Sequence, residues 1–139
     1  MPLRHDFRSR PPEQVRVVVF GATGYIGRFV TRELIQRGYQ VVAFSRDRSG
    51  IGGRNNRDQV IADLVGAEVR FGDVTDAASV AANAFDRPAD VVVSCLASRS
   101  GGRKDSWAID HDATLNAYRE GRRAGAAHFV LLSAICVQK

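Results

Sequence analysis

The sequence has few cysteines and no long apolar run, and both absences narrow the kind of protein it describes. Only two cysteines, Cys95 and Cys136, occur in 139 residues. Both lie in apolar surroundings, where a free cysteine commonly packs as a small hydrophobe, so no disulfide is expected. No stretch reaches the roughly 20 apolar residues that cross a bilayer, and no signal peptide is recognisable. We expect a cytoplasmic protein, or a plastid protein if the source is a plant or alga.

The sequence also lacks a broad basic patch, although its formal net charge is +5. Acidic and basic residues are interleaved, whereas a nucleic-acid footprint concentrates the basic ones. One short stretch is the exception, and it holds Arg46, Arg48, Arg54 and Arg57. A dinucleotide phosphate accounts for this stretch, with a solvated face as the alternative for Arg54 and Arg57. We therefore expect no nucleic-acid partner; such a partner would bind with a strong dependence on salt.

The chain is predicted to be one α/β domain that follows a short tail. Residues 1–14 have little hydrophobic periodicity and are expected to form a flexible N-terminal tail. From residue 15 onward, short β-branched runs alternate with amphipathic stretches, which is typical of βαβ units around a buried parallel sheet. Right-handed crossovers then give a Rossmann-type, doubly wound sheet of strand order 3-2-1-4-5 over residues 15–139. The ligand crevice is expected between strands one and four.

The element boundaries follow from apolar runs, glycines and capping residues. The predicted strands are residues 15–20, 40–45, 68–71, 90–95 and 128–132. The predicted helices are residues 24–38, 57–65, 77–85 and 106–124. Four apolar side chains of the first helix are expected to face the sheet: Phe29, Val30, Leu34 and Ile35.

A glycine turn directly after the first strand predicts a dinucleotide site. Its residues are Gly21, Ala22, Thr23, Gly24, Tyr25, Ile26 and Gly27. Gly21 permits a sharp turn, Gly24 permits backbone amides to approach a pyrophosphate, and Gly27 permits close packing of helix on sheet. Unpaired amides at the helix start then hold the phosphates. The alternative is a tight turn without a ligand. The spacing G-x-x-G-x-x-G resembles that of extended and atypical short-chain dehydrogenase/reductases.

The residues after strand two predict which nicotinamide cofactor is bound. An acid at this point accepts bonds from a ribose 2′-hydroxyl, whereas arginine neutralises a 2′-phosphate. The sequence has Ser45, Arg46, Asp47 and Arg48 here. Both arginines and the Ser45 hydroxyl favour NADP(H), and Asp47 leaves NAD open.

Two further loops are expected beside the adenosine. The segment G-D-V-T-D at residues 72–76 places Asp73 and Val74 after strand three, where Asp73 can accept a bond from the adenine amine. A turn or N-cap aspartate is the alternative, and the likeness of this segment to the adenine motif of short-chain reductases favours the adenine contact. After strand four, the small-residue backbone of Cys95, Leu96 and Ala97 is expected to pass beneath the ribose.

Several segments together point to one family. They are G-A-T-G-Y-I-G, R-D-R-S-G-I-G-G, F-G-D-V-T-D, V-V-V-S-C-L-A-S-R-S-G-G, D-S-W-A-I-D and H-F-V-L-L-S-A-I-C-V-Q-K. Over residues 15–139 the chain resembles the divinyl chlorophyllide 8-vinyl reductases, which are atypical short-chain reductases. The resemblance implies an oxidoreductase of chlorophyll or bacteriochlorophyll biosynthesis that uses NADPH to reduce the 8-vinyl group of a chlorophyllide or protochlorophyllide to ethyl. Members are longer, so the chain is expected to be a fragment that holds the cofactor and lacks the substrate-binding portion.

The resemblance leaves the catalytic residues unassigned. Extended short-chain enzymes place a serine after strand five and then a Tyr-x-x-x-Lys pair. Here Ser133 is expected at the nicotinamide end without acid–base work, since the alignment places Ala134 at the catalytic position. Tyr25, Tyr39 and Tyr118 lie on other elements. A noncatalytic NADP(H)-binding redox sensor is therefore the alternative function.

The remaining polar residues carry weaker signals. His111 and Asp112, on the fourth helix, suggest a catalytic pair but are expected at the surface. Trp107, Thr114 and Asn116 are expected to be packing and capping residues near the crevice. No His/Cys cluster has the spacing of metal ligands, so no metal site is expected.

Overall fold

The structure, a computed structural model, describes residues 5–47, 56–97, 104 and 107–133. Its strands are β1 (Arg16–Phe20), β2 (Gln40–Ser45), β3 (Glu68–Phe71), β4 (Val91–Ser94) and β5 (His128–Leu131). Its α-helices are α1 (Tyr25–Gln36), α2 (Arg57–Asp63), α3 (Ala77–Ala84) and α4 (Thr114–Arg123). Short 3-10 helices occupy His5–Ser9 and Pro12–Gln14, and a π-helical segment, Trp107–Ala113, leads into α4. The predicted strand boundaries are confirmed to within one residue at each end.

The strands form one parallel sheet in the order β3-β2-β1-β4-β5, which confirms the predicted Rossmann-type topology. The register pairs Phe20 of β1 with Phe44 of β2 and with Ser94 of β4, and Ser94 with Leu131 of β5. The carboxyl ends of these strands are therefore level with one another. The segments that follow them meet along one edge of the sheet, where open α/β sheets bind their ligands.

Alternate residues of the central strands face two separate apolar clusters, so helices cover the sheet on both sides. Val17 and Val19 of β1 belong to a cluster that includes Val60 and Leu64 from α2 and its C-terminal end. The opposite face of the sheet packs against α3 and α4; its residues include Val18, Phe20, Val80, Ala84 and Ala117. Burial on both faces explains why β1 and β4 are continuous apolar runs rather than alternating ones.

One residue of the first helix faces the other way from the prediction. Val30, Leu34 and Ile35 pack against the core as expected, but Phe29 is 54% exposed. The buried positions of α1 are Gly27 and Thr31, which lie one helical turn apart on the same face. Phe29 lies off that face. Its ring instead meets the edge of Tyr25, with ring centroids 6.0 Å apart. The expectation that Phe29 faces the sheet is wrong.

The N-terminal segment contacts the domain where its described residues begin. Phe7 packs against the core, and Arg10 forms an ion pair with the fully buried carboxylate of Asp90. Asp90 also accepts the backbone N–H of Arg16 at 2.8 Å. Because a buried charge is costly without partners, these bonds tie the segment before β1 to the entrance of β4.

The last predicted helix is divided into two kinds of helix. Residues 107–113 are π-helical and residues 114–123 are α-helical. The Thr114 hydroxyl donates to the carbonyl of Ile109 at 3.2 Å, across five residues. Among the helices that the structure describes, none has the length and apolar character needed to span a membrane.

Candidate functional site

The glycine turn after β1 is packed so closely that two of its glycines have no room for a side chain. Gly21 has a φ of +74°, and a Cβ there would lie 2.6 Å from the carbonyl carbon of Cys95. A Cβ on Gly27 would lie 1.8 Å from the Gly21 carbonyl oxygen. Since real Cβ atoms do not approach so closely, the turn, the start of α1 and the end of β4 require glycine at both positions.

The start of α1 leaves backbone donors open at this turn. The first amides of a helix have no carbonyl partner within the helix. Gly24 is the N-cap residue, and no side chain caps the helix there. A Cβ on Gly24 would lie 3.3 Å from the Gly21 oxygen, so its surroundings are less crowded than those of Gly21 and Gly27. Exposed amides and the helix dipole form a site that suits a phosphate.

The segment after β4 lies directly against the glycine turn, and its predicted place beneath the ribose remains a prediction. The Cys95 N–H donates to the Phe20 carbonyl at 2.8 Å. Cys95 is 8% exposed, and burial raises the pKa of its thiol. The thiol is therefore protonated at neutral pH, and the Cys95 backbone lies against Gly21. Leu96 is half-buried and Ala97 is exposed beyond it.

Ser133 lies at the same edge of the sheet. It follows β5, one residue after Leu132, whose N–H donates to the Ser94 carbonyl at 2.9 Å. Ser133 is exposed. Its place after β5 agrees with a contact at the nicotinamide end, and that contact remains a prediction.

Charged side chains meet at the end of β2, and the sequence predicted only some of them. Arg57, the first residue of α2, donates from Nε to the Asp47 carboxylate at 2.7 Å. Its guanidinium also lies over the Phe71 ring at the end of β3, 4.6 Å from the centroid. Arg57 thus links the ends of two strands. The Arg57 side chain is 60% exposed, so the solvated-face alternative stays open, and only tertiary structure brings these positions together.

The other residues predicted to bind at the end of β2 have different environments. Ser45 is 5% exposed, and its hydroxyl donates to the Arg46 carbonyl at 3.0 Å. The hydroxyl is therefore turned toward the backbone rather than toward a phosphate. Arg46 is exposed. The predicted contacts of Arg48 and Arg54 lie outside the described residues.

Asp73 follows β3 and organises its own loop. Its Oδ1 accepts the Thr75 hydroxyl at 2.6 Å and the Thr75 N–H at 2.9 Å. These two bonds hold the pKa of the Asp73 carboxyl below its usual value. Asp73 is thus an exposed, ionised acceptor, and it also makes the turn that the sequence left as the alternative.

Asn116 holds the backbone of Val74, the residue that follows Asp73. The sequence did not reveal this role. The Asn116 amide on α4 donates to the Val74 carbonyl at 3.0 Å. This bond ties the loop after β3 to a helix 42 residues further along the chain. The sequence placed Asn116 near the crevice, but a bond over this separation has no local signal.

The polar residues of the π-helical segment are exposed, as expected. The His111 and Asp112 side chains are 50% and 51% exposed. Trp107, which the sequence predicts to be a packing residue, is instead 62% exposed, and its indole stacks on the His111 ring. In the part of the chain that the structure describes, no group of three or more potential ligands gathers to hold a metal ion.

The comparisons with known proteins agree with this geometry. A family model described as NAD(P)H-binding matches residues 21–139. A divinyl chlorophyllide a 8-vinyl-reductase, chloroplastic, of Oryza sativa subsp. indica is 56% identical over 134 residues, which is 96% of this chain and 33% of the relative. The enzyme of the same name from Cucumis sativus is 53% identical over 138 residues, or 98% of this chain. The chain thus spans about a third of the length of these relatives.

Solved structures share the fold. A UDP-galactose 4-epimerase superposes with a TM-score of 0.69 and 24% identity, over 88% of this chain and 39% of that one. A short-chain dehydrogenase/reductase superfamily protein from Agrobacterium tumefaciens with bound NAD gives a TM-score of 0.65 and 22% identity, over 86% of this chain and 32% of that one.

The packing of the turn predicts that its glycines respond differently to substitution. Gly24→Ala should leave the melting temperature nearly unchanged but weaken NADPH binding about tenfold, roughly 1.4 kcal/mol, because the methyl group stands among the phosphate-binding amides. Gly27→Ala should lower the melting temperature sharply. Thermal unfolding and calorimetric titration measure both effects.

Gly38→Ala is the matched control for this test. Gly38 has a φ of +89° at the far end of α1, so alanine there should reduce stability without changing the NADPH dissociation constant. Unchanged NADPH affinity in Gly24→Ala would contradict the assignment of the turn.

Proposed function

The chain belongs to the NAD(P)H-binding family, and from that premise we propose that it is the cofactor-binding part of an NADPH-dependent 8-vinyl reductase. The proposed substrate is a divinyl chlorophyllide or protochlorophyllide, whose 8-vinyl group is reduced to ethyl. Relatives of that name at 53% to 56% identity support this substrate. Because the chain spans a third of their length, the activity is proposed for the whole protein.

The observation that carries the proposal is the glycine turn against the end of β4. The absence of Cβ atoms at Gly21 and Gly27 brings the start of α1 to the level of the strand ends. Its open amides can then hold the pyrophosphate at the switch point between β1 and β4. This position leaves the adenosine toward β2 and β3 and the nicotinamide toward β5.

The charges at the end of β2 support NADPH over NADH. Asp47 is the group that would accept bonds from a free ribose 2′-hydroxyl, but Arg57 already occupies its carboxylate. In the sequence, Arg46 and Arg48 flank Asp47 directly, so arginine outnumbers acid in this segment. An excess of guanidinium groups suits a phosphate ester, which accepts bidentate bonds from arginine.

The overall reduction consumes one NADPH and one proton for each vinyl group. The bound cofactor supplies the hydride, and the proton adds to the other carbon of the former double bond. The chain's own residues bind and orient: the glycine turn holds the phosphates, Asp73 accepts a bond from the adenine amine, and Ser133 borders the nicotinamide end.

A noncatalytic redox sensor that binds NADP(H) is the second candidate. Residues 1–139 contain no Tyr-x-x-x-Lys pair, and a sensor is the candidate function that needs none. Tyr25 is 78% exposed on α1, and Tyr118 on α4 contacts Phe129 of β5 edge to face. Neither occupies the position of a proton-donating tyrosine after β5.

A plastid is the proposed compartment. The relatives from Cucumis sativus, Oryza sativa and Arabidopsis thaliana are all named as chloroplastic proteins. A reducing plastid compartment suits free cysteine thiols.

Cofactor preference gives the first test of this proposal. Arg46→Ala combined with Arg48→Ala should weaken NADPH binding about 10- to 100-fold and NADH binding far less, because only NADPH carries the 2′-phosphate. Arg57→Ala should also weaken NADPH and should improve NADH, because it releases Asp47. Arg119→Ala, an exposed arginine on α4, is the control. Equal losses of affinity for NADPH and NADH would contradict the NADP assignment.

Turnover separates the two candidate functions. The whole protein, of which this chain is the proposed cofactor-binding part, should convert divinyl chlorophyllide a and NADPH to the 8-ethyl product, with one NADPH oxidised per vinyl group reduced, as measured by chromatography and absorbance. Tight NADPH binding without any product would favour the sensor. Failure to bind NADPH would refute both candidates.

A further inference from the structure

An oriented histidine in the π-helical segment has no part in cofactor binding. The His111 Nδ1 lies 2.9 Å from the Asp112 Oδ1. The imidazole also stacks on the Trp107 indole, with ring centroids 4.3 Å apart and planes inclined by 11°. Two neighbours thus restrain one side chain that is half exposed to solvent. The two contacts hold the imidazole ring in one orientation with its other edge toward solvent.

The course of α4 places this histidine above the ligand-binding edge of the sheet. Near the start of α4, Asn116 bonds to Val74 in the loop after β3. Just past its end, the Ala124 carbonyl accepts the N–H of Ala89, next to the entrance of β4. The helix therefore runs from the carboxyl edge of the sheet to its amino edge. The π-helical segment precedes α4, so it projects beyond the carboxyl edge, where the crevice lies.

The contacts of His111 prepare its other ring nitrogen to bind a metal ion. When Nδ1–H donates to the Asp112 carboxylate, the neutral ring carries its lone pair on Nε2. Metal-binding histidines commonly donate their second N–H to a carboxylate in this way, which fixes the tautomer and raises the basicity of the ligand. Nε2 has no protein partner among the residues that the structure describes. Stacking on Trp107 fixes the plane of the imidazole ring, and with it the direction of the Nε2 lone pair.

We propose that His111 Nε2 is an axial ligand to the central metal ion of the tetrapyrrole substrate. This inference rests on the proposed function, because that function supplies the tetrapyrrole. A chlorophyllide holds Mg²⁺ through four nitrogens of its own ring and leaves the axial position open. One protein ligand is then sufficient, in agreement with the absence of a three-ligand cluster among the described residues. Asp112 and Trp107 act as positioning residues for the imidazole.

The π-helical geometry fits this role. A π-helical turn inside a longer helix is uncommon and occurs frequently at functional sites. The bond from Thr114 to the Ile109 carbonyl lies within this turn. The helix that begins at Thr114 is anchored through Asn116 to the loop after β3. The same element therefore connects the proposed substrate ligand to the adenine side of the cofactor site.

The test compares a magnesium macrocycle with its metal-free form. The whole protein that contains this chain is titrated with divinyl chlorophyllide a and with the same compound after acid removal of Mg²⁺, and the absorbance bands and dissociation constants are measured. His111→Ala should weaken binding of the magnesium compound about tenfold or more, remove the band shift caused by axial ligation, and leave the affinity for the metal-free compound unchanged. Asp112→Asn should show a smaller loss of the same kind.

Two further variants make the result specific. In His111→Gly, free imidazole should restore the band shift, because it can occupy the vacated position. His128→Ala, which removes an exposed histidine at the start of β5, should behave as wild type.

Three results would overturn the inference. If His111→Ala lost affinity equally for the magnesium compound and for the metal-free compound, His111 would have a packing role. Unchanged binding of both compounds with slower reduction would make His111 a proton donor instead. Wild-type protein that binds NADPH but neither macrocycle would refute the proposed substrate and, with it, the axial ligand.

Discussion

The close approach of the turn after β1 to the end of β4 is the constraint on which the rest of this structure depends. A side chain on Gly21 would collide with the Cys95 backbone, and one on Gly27 would collide with the Gly21 carbonyl. If Gly21 and Gly27 carried side chains, α1 would lie further from the sheet. Its first amides would then no longer lie level with the strand ends. The buried valines of β1 and β4 hold this arrangement rigid from both faces.

Charge then determines what the crevice can hold. The glycine turn provides amide donors and a helix dipole for a pyrophosphate. At the adenosine side, Arg57 occupies the carboxylate of Asp47 and lies over Phe71. An exposed ion pair of this kind contributes little to stability, so its main consequence is that the Asp47 carboxylate already has an arginine partner. Further along the same edge, a carboxylate and an indole orient His111.

The sequence predicted most of the fold because its signals are local. Continuous β-branched runs predict buried parallel strands, and glycine spacing predicts the turn, so the sheet order and strand boundaries are confirmed. The misplaced Phe29 shows the limit of a hydrophobic pattern, since an aromatic ring beside the buried stripe can pack on an exposed neighbour. The Arg57–Asp47 pair, the Asn116–Val74 bond and the π-helical turn could not be predicted, because each depends on contacts made only after folding.

Amide nuclear magnetic resonance of the ¹⁵N-labelled chain, recorded during addition of NADP⁺, measures directly whether backbone amides of the glycine turn hold the phosphates of a nicotinamide cofactor. We expect the largest shifts on residues 22–27, with smaller ones after β2 and β3. Saturable binding that leaves the amides of residues 22–27 unmoved would contradict this role of the turn.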